Sequence, residues 1–397
     1  MSNLEELIER LCPDGVEYKT LTELFDTKNG YTPSKSKEEY WTNGTVPWFR
    51  MEDIRENGNI LSKAIQYVSE SAIKGSLFPA DSIIVALIKV PSLANQRFTY
   101  LVLKDEFKEQ IDIMFIYYCC FKLDEYCKEC LNQGNFASVD MKKFLKFKFP
   151  VPPLEVQREI VRILDNFTFL TTELAAELAA RQKQYEYYRD LLLTFKSNES
   201  TILNERTNEL ELSGAIRWMK LGDIADIGTG NGNTNEGLDT GKYPFFVRSQ
   251  DIKYKNEYDF DETAIITSGD GVGVGKIFHF VSGKYALHQR AYRVHIISDN
   301  VLPKYFFYYF KNSFLTYISK ASFHSSVTSI RRPMMINFPV PVPPLEVQQR
   351  IVGILDRFDV LCNDISSGLP AEIEARQKQY EYYRDKLLTF KELKKEA

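Results

Sequence analysis

Cysteine is scarce in this sequence, and long apolar runs are missing. The 397 residues include six cysteines, which are too few and too unevenly placed for a disulfide framework in a chain of this size. No apolar run approaches the roughly 18 residues that a membrane span needs. The opening stretch, MSNLEELIER, is acidic and polar, unlike a secretion signal. We therefore expect a cytoplasmic protein without a membrane partner.

A strong net charge is also missing. The formal net charge of -4 excludes a surface coated with positive charge, so any binding to nucleic acid must come from local basic patches. The hydrophobic fraction of 44% and the charged fraction of 26% are those of an ordinary folded protein, and the length allows two or three hydrophobic cores. Composition alone leaves the function open.

The most informative feature that is present is an internal duplication. The stretch FPVPPLEVQREIVRILDNF, which ends at Phe167, returns as PVPVPPLEVQQRIVGILDRF, which ends at Phe358, a shift of 191 residues. Further on, RQKQYEYYRDLLLTF from Arg181 returns as RQKQYEYYRDKLLTF from Arg376, now shifted by 195 residues. The second copy has therefore gained four residues between the two landmarks.

The front ends of the two copies match more loosely. VEYKTLTEL from Val16 parallels IRWMKLGDI from Ile216, and VPWFRMEDI parallels YPFFVRSQDI. The shift of 191, continued upstream without a gap, pairs Tyr118 with Tyr309. Between these landmarks the copies diverge. The sequence therefore consists of two different variable domains, each followed by a copy of the same near-identical block.

The near-identical blocks predict long helices. Val-Pro-Pro at 151–153 and at 342–344 places proline at a first helical turn, and apolar residues then recur at steps of three and four. Because glycine is absent from 153–196, the first helix could run for ~40 residues, roughly 60 Å. We expect so long a helix to pack antiparallel against its counterpart. Gly368 and Pro370 predict an interruption in the second copy.

The variable blocks mix short β-branched runs, such as SIIVALIKV and TAIITSG, with segments of helical length. The sequence therefore predicts a mixed α/β fold, in which two strand-rich α/β domains are joined by two long helices packed as an antiparallel coiled coil. The whole would be a tandem repeat with pseudo-two-fold symmetry. The predicted boundaries are a first variable domain at 1–150, a central helix at 151–196, a linker at 197–213, a second variable domain at 214–341 and a C-terminal helix at 342–397.

The chain resembles the specificity (S) subunit of type I restriction-modification enzymes over essentially its whole length. The resemblance lies in two variable domains that are each followed by PxPPLExQ, an IxxILD helix and RQKQYEYYRD-L-LTF. The resemblance implies two target recognition domains, each reading one half of a gapped site in double-stranded DNA. It also implies that the helices bind two modification (methyltransferase) subunits and that restriction (translocase and nuclease) subunits join them. S-adenosylmethionine, ATP and Mg would then lie on the partner subunits, and this chain would hold no cofactor, no metal and no active site.

DNA-reading domains need cations for phosphates, and amide or guanidinium groups for base edges. The loop KNGYTPSKSK in the first variable domain supplies candidates for such contacts, although a solvated turn is the alternative. SLANQRF matches YALHQRAY in the second domain, although an arginine there could instead hold a carboxylate. The candidates from these segments are Lys28, Tyr31, Ser34, Lys35, Gln96, Arg97, His288, Gln289 and Arg290.

A third pair of loops precedes the shared helix, and further candidates lie in the second domain. The third pair is polar and flanked by cations, although a basic surface turn is the alternative; its members are Gln133, Asn135, Lys142 and Lys143 in the first copy, and His324, Ser325, Arg331 and Arg332 in the second. The further candidates are Asn231, Asn233, Arg248 and Lys276.

Several strings imitate catalytic motifs. DIGTGNG resembles the glycine-rich loop that binds S-adenosylmethionine, but it corresponds to DTKNGYTPS in the first copy, which favours a recognition loop. No Asn/Asp-Pro-Pro-aromatic tetrapeptide is present to hold a target adenine. GDGVGVGK, ending at Lys276, lacks the first glycine of a phosphate-binding loop, and Ile277 stands where Ser or Thr should follow. These departures argue against a methyltransferase or an ATPase in this chain.

Two other patterns suggest metal chemistry. Cys119, Cys120, Cys127 and Cys130 invite a zinc interpretation, but mostly apolar residues align with them in the second copy, so we assign Cys119, Cys127 and Cys130 to core positions on a helix. PDGVEYK mimics a nuclease motif with its acidic residues too close together. We thus expect a non-catalytic DNA-recognition subunit. The alternatives are an adaptor whose variable domains bind protein or RNA, and a stand-alone methyltransferase.

Overall fold

The computed structural model describes residues 2–84, 86–132, 138–195, 201–203, 210–212, 216–321 and 329–393. The chain forms two compact units. The first unit comprises Met1–Glu173 and Glu374–Ala397, and the second comprises Leu174–Ile373. Each unit therefore contains one variable domain together with helical residues from both copies of the repeat.

The helices, in chain order, are α1 (Ser2–Leu11), α2 (Leu21–Leu24), α3 (Met51–Asn57), α4 (Ile113–Glu129), α5 (Met141–Phe144), α6 (Leu154–Leu193), α7 (Leu221–Ile224), α8 (Pro303–Ala321), α9 (Arg332–Ile336), α10 (Leu345–Asn363) and α11 (Leu369–Leu387). Short 3-10 turns occur at Glu38–Tyr40, Glu70–Ala72, Asp105–Phe107 and Thr234–Glu236. Within the described ranges, no helix combines the length and the apolar composition that crossing a membrane would need.

The strands up to the first long helix are β1 (Glu17–Thr20), β2 (Phe25–Asn29), β3 (Val46–Phe49), β4 (Ile60–Leu61), β5 (Tyr67–Val68), β6 (Ser82–Ile83), β7 (Leu87–Ile88), β8 (Leu93–Ala94), β9 (Thr99–Leu103), β10 (Leu131–Asn132), β11 (Ser138–Val139) and β12 (Lys148–Val151). Those that follow are β13 (Thr201–Leu203), β14 (Leu210–Leu212), β15 (Arg217–Lys220), β16 (Ala225–Thr229), β17 (Tyr243–Phe246), β18 (Lys253–Lys255), β19 (Phe260–Ser268), β20 (Phe278–Leu287), β21 (Ala291–Ile296) and β22 (Pro339–Val342).

The first variable domain contains two main sheets, in addition to the strand pairs β1-β12 and β10-β11. A five-stranded sheet has the order β2-β9-β6-β7-β4, and a three-stranded sheet has the order β5-β3-β8. Strand β3 runs parallel to β8, with Phe49 opposite Ala94. Helix α4 covers the first sheet with its apolar face, where Phe115 and Ile116 are fully buried in one core with Leu101. The pairing of β3 with β8 places the end of β8 beside the end of β3.

The second variable domain has one larger sheet with a related core. Its six strands have the order β16-β21-β19-β20-β17-β18. Strand β17 runs parallel to β20, with Phe246 opposite Leu287, as β3 does to β8 in the first domain. Helix α8 packs on this sheet through Phe306, Phe310 and Phe314, which are all buried. The two variable domains thus share a scaffold although their sequences diverge.

Both copies of the repeat begin their long helix in the same way. In the first unit the buried amide of Gln157 donates to the carbonyl oxygens of Pro152 (2.7 Å) and Gln110 (2.9 Å). Its side-chain oxygen accepts from the amide N–H of Asp112 (2.8 Å). In the second unit, Gln348 makes the same set of bonds to Pro343, Asn300 and Leu302. The shared glutamine therefore ties the start of the long helix to the end of the variable domain.

The hydrogen bonds correct one detail of the repeat alignment. The hydroxyl of Tyr118 donates to Asp165 in the first unit, and the hydroxyl of Tyr308 donates to the corresponding Asp356 in the second. By these contacts Tyr118 corresponds to Tyr308, so the pairing with Tyr309 is wrong by one residue. The ungapped shift fails here because α4 and α8 lie in variable sequence, where a single inserted residue leaves no trace in the pattern.

The predicted long helix and the predicted interruption are both confirmed. Helix α6 runs for 40 residues without a break, whereas the second copy is divided into α10 and α11. Between them Asp364 accepts hydrogen bonds from the hydroxyl groups of Ser366 and Ser367, both at 2.6 Å. These hydroxyl bonds and the amide N–H of Ser366 hold the pKa of Asp364 at about 2. A carboxylate thus closes the turn that contains Gly368.

Each unit packs helical residues of one copy against those of the other. In the first unit, Phe167 of α6 stacks on Tyr383 of α11, with ring centroids 5.5 Å apart. In the second unit, Phe358 of α10 stacks on Tyr188 of α6 at 5.8 Å. Arg181, which precedes Tyr188 in α6, lies near Cys362, which follows Phe358 in α10, so the helices are antiparallel there. The aromatic contact is the same with the two copies exchanged, as a pseudo-two-fold repeat requires.

Candidate nucleic-acid interface

The residues 95–98 form a tight turn in the first unit, which we name the first Gln-Arg turn. The amide N–H of Phe98 donates to the carbonyl oxygen of Asn95 (3.0 Å), and the amide N–H of Arg97 donates to the Asn95 side-chain oxygen (3.0 Å). The amide N–H of Asn95 is bonded to Phe49 O (2.9 Å) at the end of β3. The turn therefore projects Gln96 and Arg97 from the sheet edge, with the backbone between them held by Asn95.

The residues 288–291 form the same turn in the second unit, which we name the second Gln-Arg turn. The amide N–H of Ala291 donates to the carbonyl oxygen of His288 (3.0 Å), and the amide N–H of Arg290 donates to His288 Nδ1 (2.9 Å). The amide N–H of His288 is bonded to Phe246 O (3.0 Å) at the end of β17. His288 thus performs the task of Asn95, so the matched pattern NQR and HQR marks one structural feature in both copies.

The loop after β2 in the first unit, and the loop after β16 in the second, packs against the Gln-Arg turn of its unit. Tyr31 N–H donates to Ala94 O (2.8 Å) in the first unit, and Gly232 N–H donates to Leu287 O (3.1 Å) in the second. Both loops contain a glycine at the point of closest approach. A Cβ atom at Gly30 would lie 2.3 Å from Ala94 O, and one at Gly230 would lie 1.9 Å from Leu287 O. Only glycine permits these loops to approach the turn so closely.

An open cleft of about 1260 Å³ lies over the first Gln-Arg turn. Thr32, Pro33, Lys35 and Ser36 of the loop line one part of it, while Asn95, Gln96 and Arg97 line another. Of the loop candidates, Lys35 thus shares the cleft with Gln96 and Arg97. Lys28 lies on β2 with its ammonium group 5.6 Å from the centre of the Phe78 ring, and Ser34 bonds to the hydroxyl of Ser36 (2.8 Å).

Tyr31 has a structural task that the sequence did not reveal. Its hydroxyl donates to Ala72 O (3.1 Å) and accepts from the amide N–H of Lys74 (2.6 Å). Because the hydroxyl already has two backbone partners, it is committed to holding the loop. Any contact of Tyr31 with DNA would have to use the ring.

Sequence reasoning missed Arg50 and Trp41, which line the same cleft. Arg50 follows β3, and its guanidinium group lies 5.5 Å from the centre of the Trp48 ring. Its buried Nε atom makes no hydrogen bond in the described part of the chain and lies 3.9 Å from Glu52 Oε2. The signal was available, since VPWFRMEDI parallels YPFFVRSQDI, whose arginine is the predicted Arg248.

In the second unit, side chains of the loop and of the second Gln-Arg turn bond directly. Gln289 Nε2 donates to Asn233 Oδ1 (2.6 Å), and its backbone N–H donates to Gly232 O (2.9 Å). Asn233 also begins the short turn at Thr234–Glu236, and Asn231 precedes it on the same exposed loop. The predicted candidates Asn231, Asn233 and Gln289 are therefore brought together.

His288 corrects a prediction. Its side chain is 3% exposed, and both ring nitrogens are occupied, Nδ1 as the acceptor for Arg290 N–H and Nε2 beside Thr234 Oγ1 (3.1 Å). Because Nδ1 accepts a hydrogen bond, Nε2 carries the proton and donates to the threonine. Burial, assisted by the charge of Arg248, lowers the pKa of His288, which favours this neutral form. We therefore assign His288 to shaping the turn and not to touching DNA.

Arg248 and Arg290 converge on a carboxylate. Arg248 Nη1 lies 2.6 Å from Asp270 Oδ1, and Arg290 Nη1 lies 3.1 Å from Asp270 Oδ2. The alternative that an arginine of a Gln-Arg pair holds a carboxylate is thus correct for Arg290. Arg248, a candidate outside that pair, shares the same carboxylate, and the side chains of Arg248 and Arg290 remain 38% and 61% exposed. Lys276 lies exposed at the end of the same glycine-rich loop that carries Asp270.

The third pair of loops leads into two short helices of equivalent position. Lys142 and Lys143 lie at the start of α5, where their amide N–H groups are bonded by Asp140. Arg331 and Arg332 lie at the start of α9, each helix being followed by the strand before the long helix. All four side chains are exposed. The remaining candidates, Gln133, Asn135, His324 and Ser325, lie outside the described residues.

Both short helices adjoin the Gln-Arg turns. In the first unit, a cavity of about 820 Å³ has Gln96 and Arg97 on its wall together with Met141 and Phe144 of α5. In the second unit, Ile330 N–H, just before α9, donates to Gly269 O (2.8 Å). Each unit therefore gathers amide, guanidinium and ammonium groups from several chain segments, a set suited to base edges and phosphates.

The comparisons with known proteins identify the family. The model for the type I restriction modification DNA specificity domain matches residues 13–181 and 216–375, which are the two copies of the repeat.

This chain belongs to the type I restriction-modification DNA specificity family.

Full-length relatives agree with the family match. The chain is 37% identical to the EcoprrI specificity subunit of Escherichia coli over 387 residues, which cover 92% of each protein. It is 35% identical to the EcoR124I/EcoR124II specificity subunit of Escherichia coli over 292 residues, 65% of this chain and 68% of the relative. A chain from a structure of the type I R-M system has a TM-score of 0.60 at 16% identity and covers 95% of this chain and 98% of its own length. The resemblance and the fold class are confirmed.

The segments that resemble catalytic motifs have structural roles in this specificity subunit. DIGTGNG forms β16 and the loop that packs on the second Gln-Arg turn, and GDGVGVGK carries Asp270. Cys119 lies on α4 and is buried in the core of the first unit. Among the described residues, no cluster of His, Cys, Asp or Glu is arranged to hold a metal ion.

Proposed function

We propose that this specificity subunit reads a gapped, two-part site in double-stranded DNA, with one variable domain reading each part. The observation that carries the proposal is the repeated turn. Asn95 and His288 make equivalent backbone bonds in the two units, while the loops around the two turns differ. One scaffold that presents two different sets of side chains is what the recognition of two different base sequences requires.

The candidate contacts divide by chemistry. Gln96, Arg97, Gln289 and Arg290 carry the amide and guanidinium groups that recognise adenine and guanine edges in the major groove. Lys142 and Lys143, and Arg331 and Arg332, lie on helix starts and supply charge for phosphates, together with Lys28, Lys35 and Lys276. Because the net charge is -4, DNA binding by this chain depends on such local cations and should weaken steeply with salt.

The partners we propose are two modification subunits and the restriction subunits of a type I complex. Tyr187 and Tyr382 support the number two, because they hold the same position in the two RQKQYEYYRD segments and are 65% and 62% exposed. Their neighbours Tyr188 and Tyr383 are instead packed on Phe358 and Phe167. Two identical exposed surfaces fit two copies of one partner, so the mass of the purified complex should correspond to two modification subunits per chain.

We propose further that the chain has no catalytic role. Methyl transfer from S-adenosylmethionine to adenine would belong to the modification subunits, and the ATP- and Mg-dependent steps to the restriction subunits. The support is that the loops resembling catalytic motifs are occupied in holding the second Gln-Arg turn and its arginines.

The test is to sequence the methylated bases of a host that carries this gene with its modification subunit, and of the same host with the gene deleted. We expect a paired, gapped adenine motif that disappears on deletion. If no motif is lost, the proposal is contradicted. Methyl transfer by the purified chain alone would support the methyltransferase alternative, and binding of RNA or protein in preference to duplex DNA would support the adaptor.

A further inference from the structure

One carboxylate in the second unit contacts two of the exposed arginines. Asp270 offers Oδ1 to Arg248 Nη1 (2.6 Å) and Oδ2 to Arg290 Nη1 (3.1 Å), so each oxygen serves one guanidinium group. The Asp270 side chain is 25% exposed. Each arginine uses one nitrogen for Asp270 and keeps other N–H donors for a ligand.

The backbone around Asp270 is held in place by its neighbours. Ser268 Oγ donates to Asp270 O (2.8 Å), and Gly269 N–H donates to Arg290 O (2.8 Å). A Cβ atom at Gly269 would lie 2.5 Å from Arg290 O, so only glycine allows this approach. The carboxylate thus lies on a loop that is locked to the second Gln-Arg turn itself.

The two arginines reach Asp270 from separate elements. Arg248 follows β17, and Arg290 belongs to the turn that His288 holds. Three chain segments therefore converge on this contact. Partial burial of Asp270 opposes its ionisation, but the hydrogen bonds and charges of Arg248 and Arg290 outweigh that effect and lower the pKa of its carboxyl. The carboxylate remains charged at neutral pH.

The charge balance indicates which part of DNA the arginines face. Two guanidinium groups and one carboxylate carry a single net positive charge, and a phosphate would approach the Asp270 carboxylate as a like charge. A base edge is neutral, so it meets no such repulsion, and a guanidinium group held at a fixed angle can bond to both acceptors of guanine. The carboxylate therefore weakens the attraction of this pair for a phosphate, compared with two unpaired arginines, and leaves N–H donors that suit a base edge.

We propose that Asp270 is a positioning residue that holds Arg248 and Arg290 as a pair facing a guanine edge in the part of the site read by the second variable domain. The inference rests on the function proposed above and adds the base class and the residue that orients its readers. In the described part of the first unit the guanidinium group of Arg97 has no such carboxylate partner, so the effect of Asp270 should be confined to one part of the motif.

The test compares the methylated motif of the complex containing Asp270→Asn with that of the wild-type complex. We expect one part of the motif to lose its preference for a guanine by about tenfold, while the other part stays unchanged. The unchanged part reports that the variant folds and assembles. The matched control is Asp239→Asn, which removes the same charge from a surface pair with Lys253 (2.8 Å) and should leave both parts unchanged.

A binding measurement on the complex distinguishes a base from a phosphate. We expect 7-deazaguanine at that position of the duplex, which lacks the N7 acceptor, to weaken wild-type binding about tenfold and to have little effect on Asp270→Asn. If Asp270→Asn instead strengthens binding to all duplexes and steepens the salt dependence without changing the motif, Asp270 only screens phosphate contacts and the inference is wrong.

Different results would contradict the proposed function and the proposed role of Asp270. A wild-type complex that leaves no paired adenine motif contradicts the proposed function. A wild-type motif that the Asp270→Asn complex reproduces without change contradicts only the role of Asp270.

Discussion

Gln157 and Gln348 show how a single side chain connects the variable and shared parts of each copy. Each buried amide bonds two carbonyl oxygens and one N–H group at the junction of the variable domain and the long helix. A buried polar group that loses its partner costs about 1–3 kcal/mol. The LExQ motif therefore has a structural explanation that does not depend on DNA.

We predict that Gln157→Leu lowers the free energy of unfolding by at least about 2 kcal/mol, because the substitution leaves three buried backbone groups without partners. Denaturant unfolding of the full chain provides the measurement. The control is Gln182→Leu at an exposed position of α6, which should change stability little. Equal effects of the two substitutions would refute the structural role of Gln157.

His288 should make the second Gln-Arg turn sensitive to acid, because its ring holds that turn. Burial comes first among the causes that lower its pKa, followed by the charge of Arg248, with Arg290 acting in the same direction and Asp270 and Glu236 acting against them. A histidine whose pKa is lowered by folding stabilises the fold above its ordinary value of 6.5, and that contribution is lost as the pH falls below it. Protonated Nδ1 could no longer accept from Arg290 N–H.

We predict that binding of the complex to its duplex weakens below about pH 6.5, by up to about tenfold per pH unit. His288→Asn should remove most of this dependence, because the first unit shows that an asparagine oxygen makes the same bond at Asn95. Affinity measured from pH 5.5 to 7.5 for both proteins is the test. If the affinity of both proteins depends on pH in the same way, His288 is excluded as the source of the pH dependence.

At the scale of elements, the long helix is the feature that relates the two copies. Helix α6 contains the tandem ELAA at 173–176 and 177–180 within its 40 residues. One such unit is about one helical turn and spans ~6 Å, on the order of one or two base pairs. The side chains of this stretch are mostly exposed, so its length can change without emptying a core.

We predict that deletion of 177–180 shortens the gap of the methylated motif by one or two base pairs, about the rise of one helical turn, and leaves both sequence parts unchanged. The measurement is the methylated motif of the host, and a duplicated ELAA unit, which should lengthen the gap, is the matched variant. A change in either sequence part, or a gap that stays constant in both variants, would contradict a spacing role for α6.

At the scale of the whole molecule, the repeat divides the chain into two units of similar construction. Each compact unit contains one Gln-Arg turn, one glycine-dependent loop and one short basic helix. The two variable domains have separate hydrophobic cores. Changes in one domain should therefore leave the other unaltered.

We predict that replacing residues 1–150 by those of another family member changes one part of the methylated motif and preserves the other part and the gap. Methylated-base sequencing of hosts carrying the parent and the exchanged chain provides the comparison. The reciprocal exchange of 214–341 should change the opposite part. Alteration of both parts by either exchange would show that the domains do not read independently.

The long helices, their interruption, the two-copy organisation and the match of the two Gln-Arg turns could all be predicted from the sequence. These features depend on local periodicity, on proline and glycine, and on self-similarity, and all three can be observed directly in the amino-acid sequence. The family resemblance rested on the same repeated motifs, and the match to 13–181 and 216–375 confirms it.

Only the tertiary structure decided which side chains meet. Asp270 lies 22 residues from Arg248 and 20 from Arg290, so their contact depends on how β17, β19 and β20 are paired. The burial of His288 and the bonded hydroxyl of Tyr31 follow from the same non-local packing. A linear pattern records which groups are present, whereas strand register and loop closure bring distant groups together, and those depend on the folded sheet as a whole.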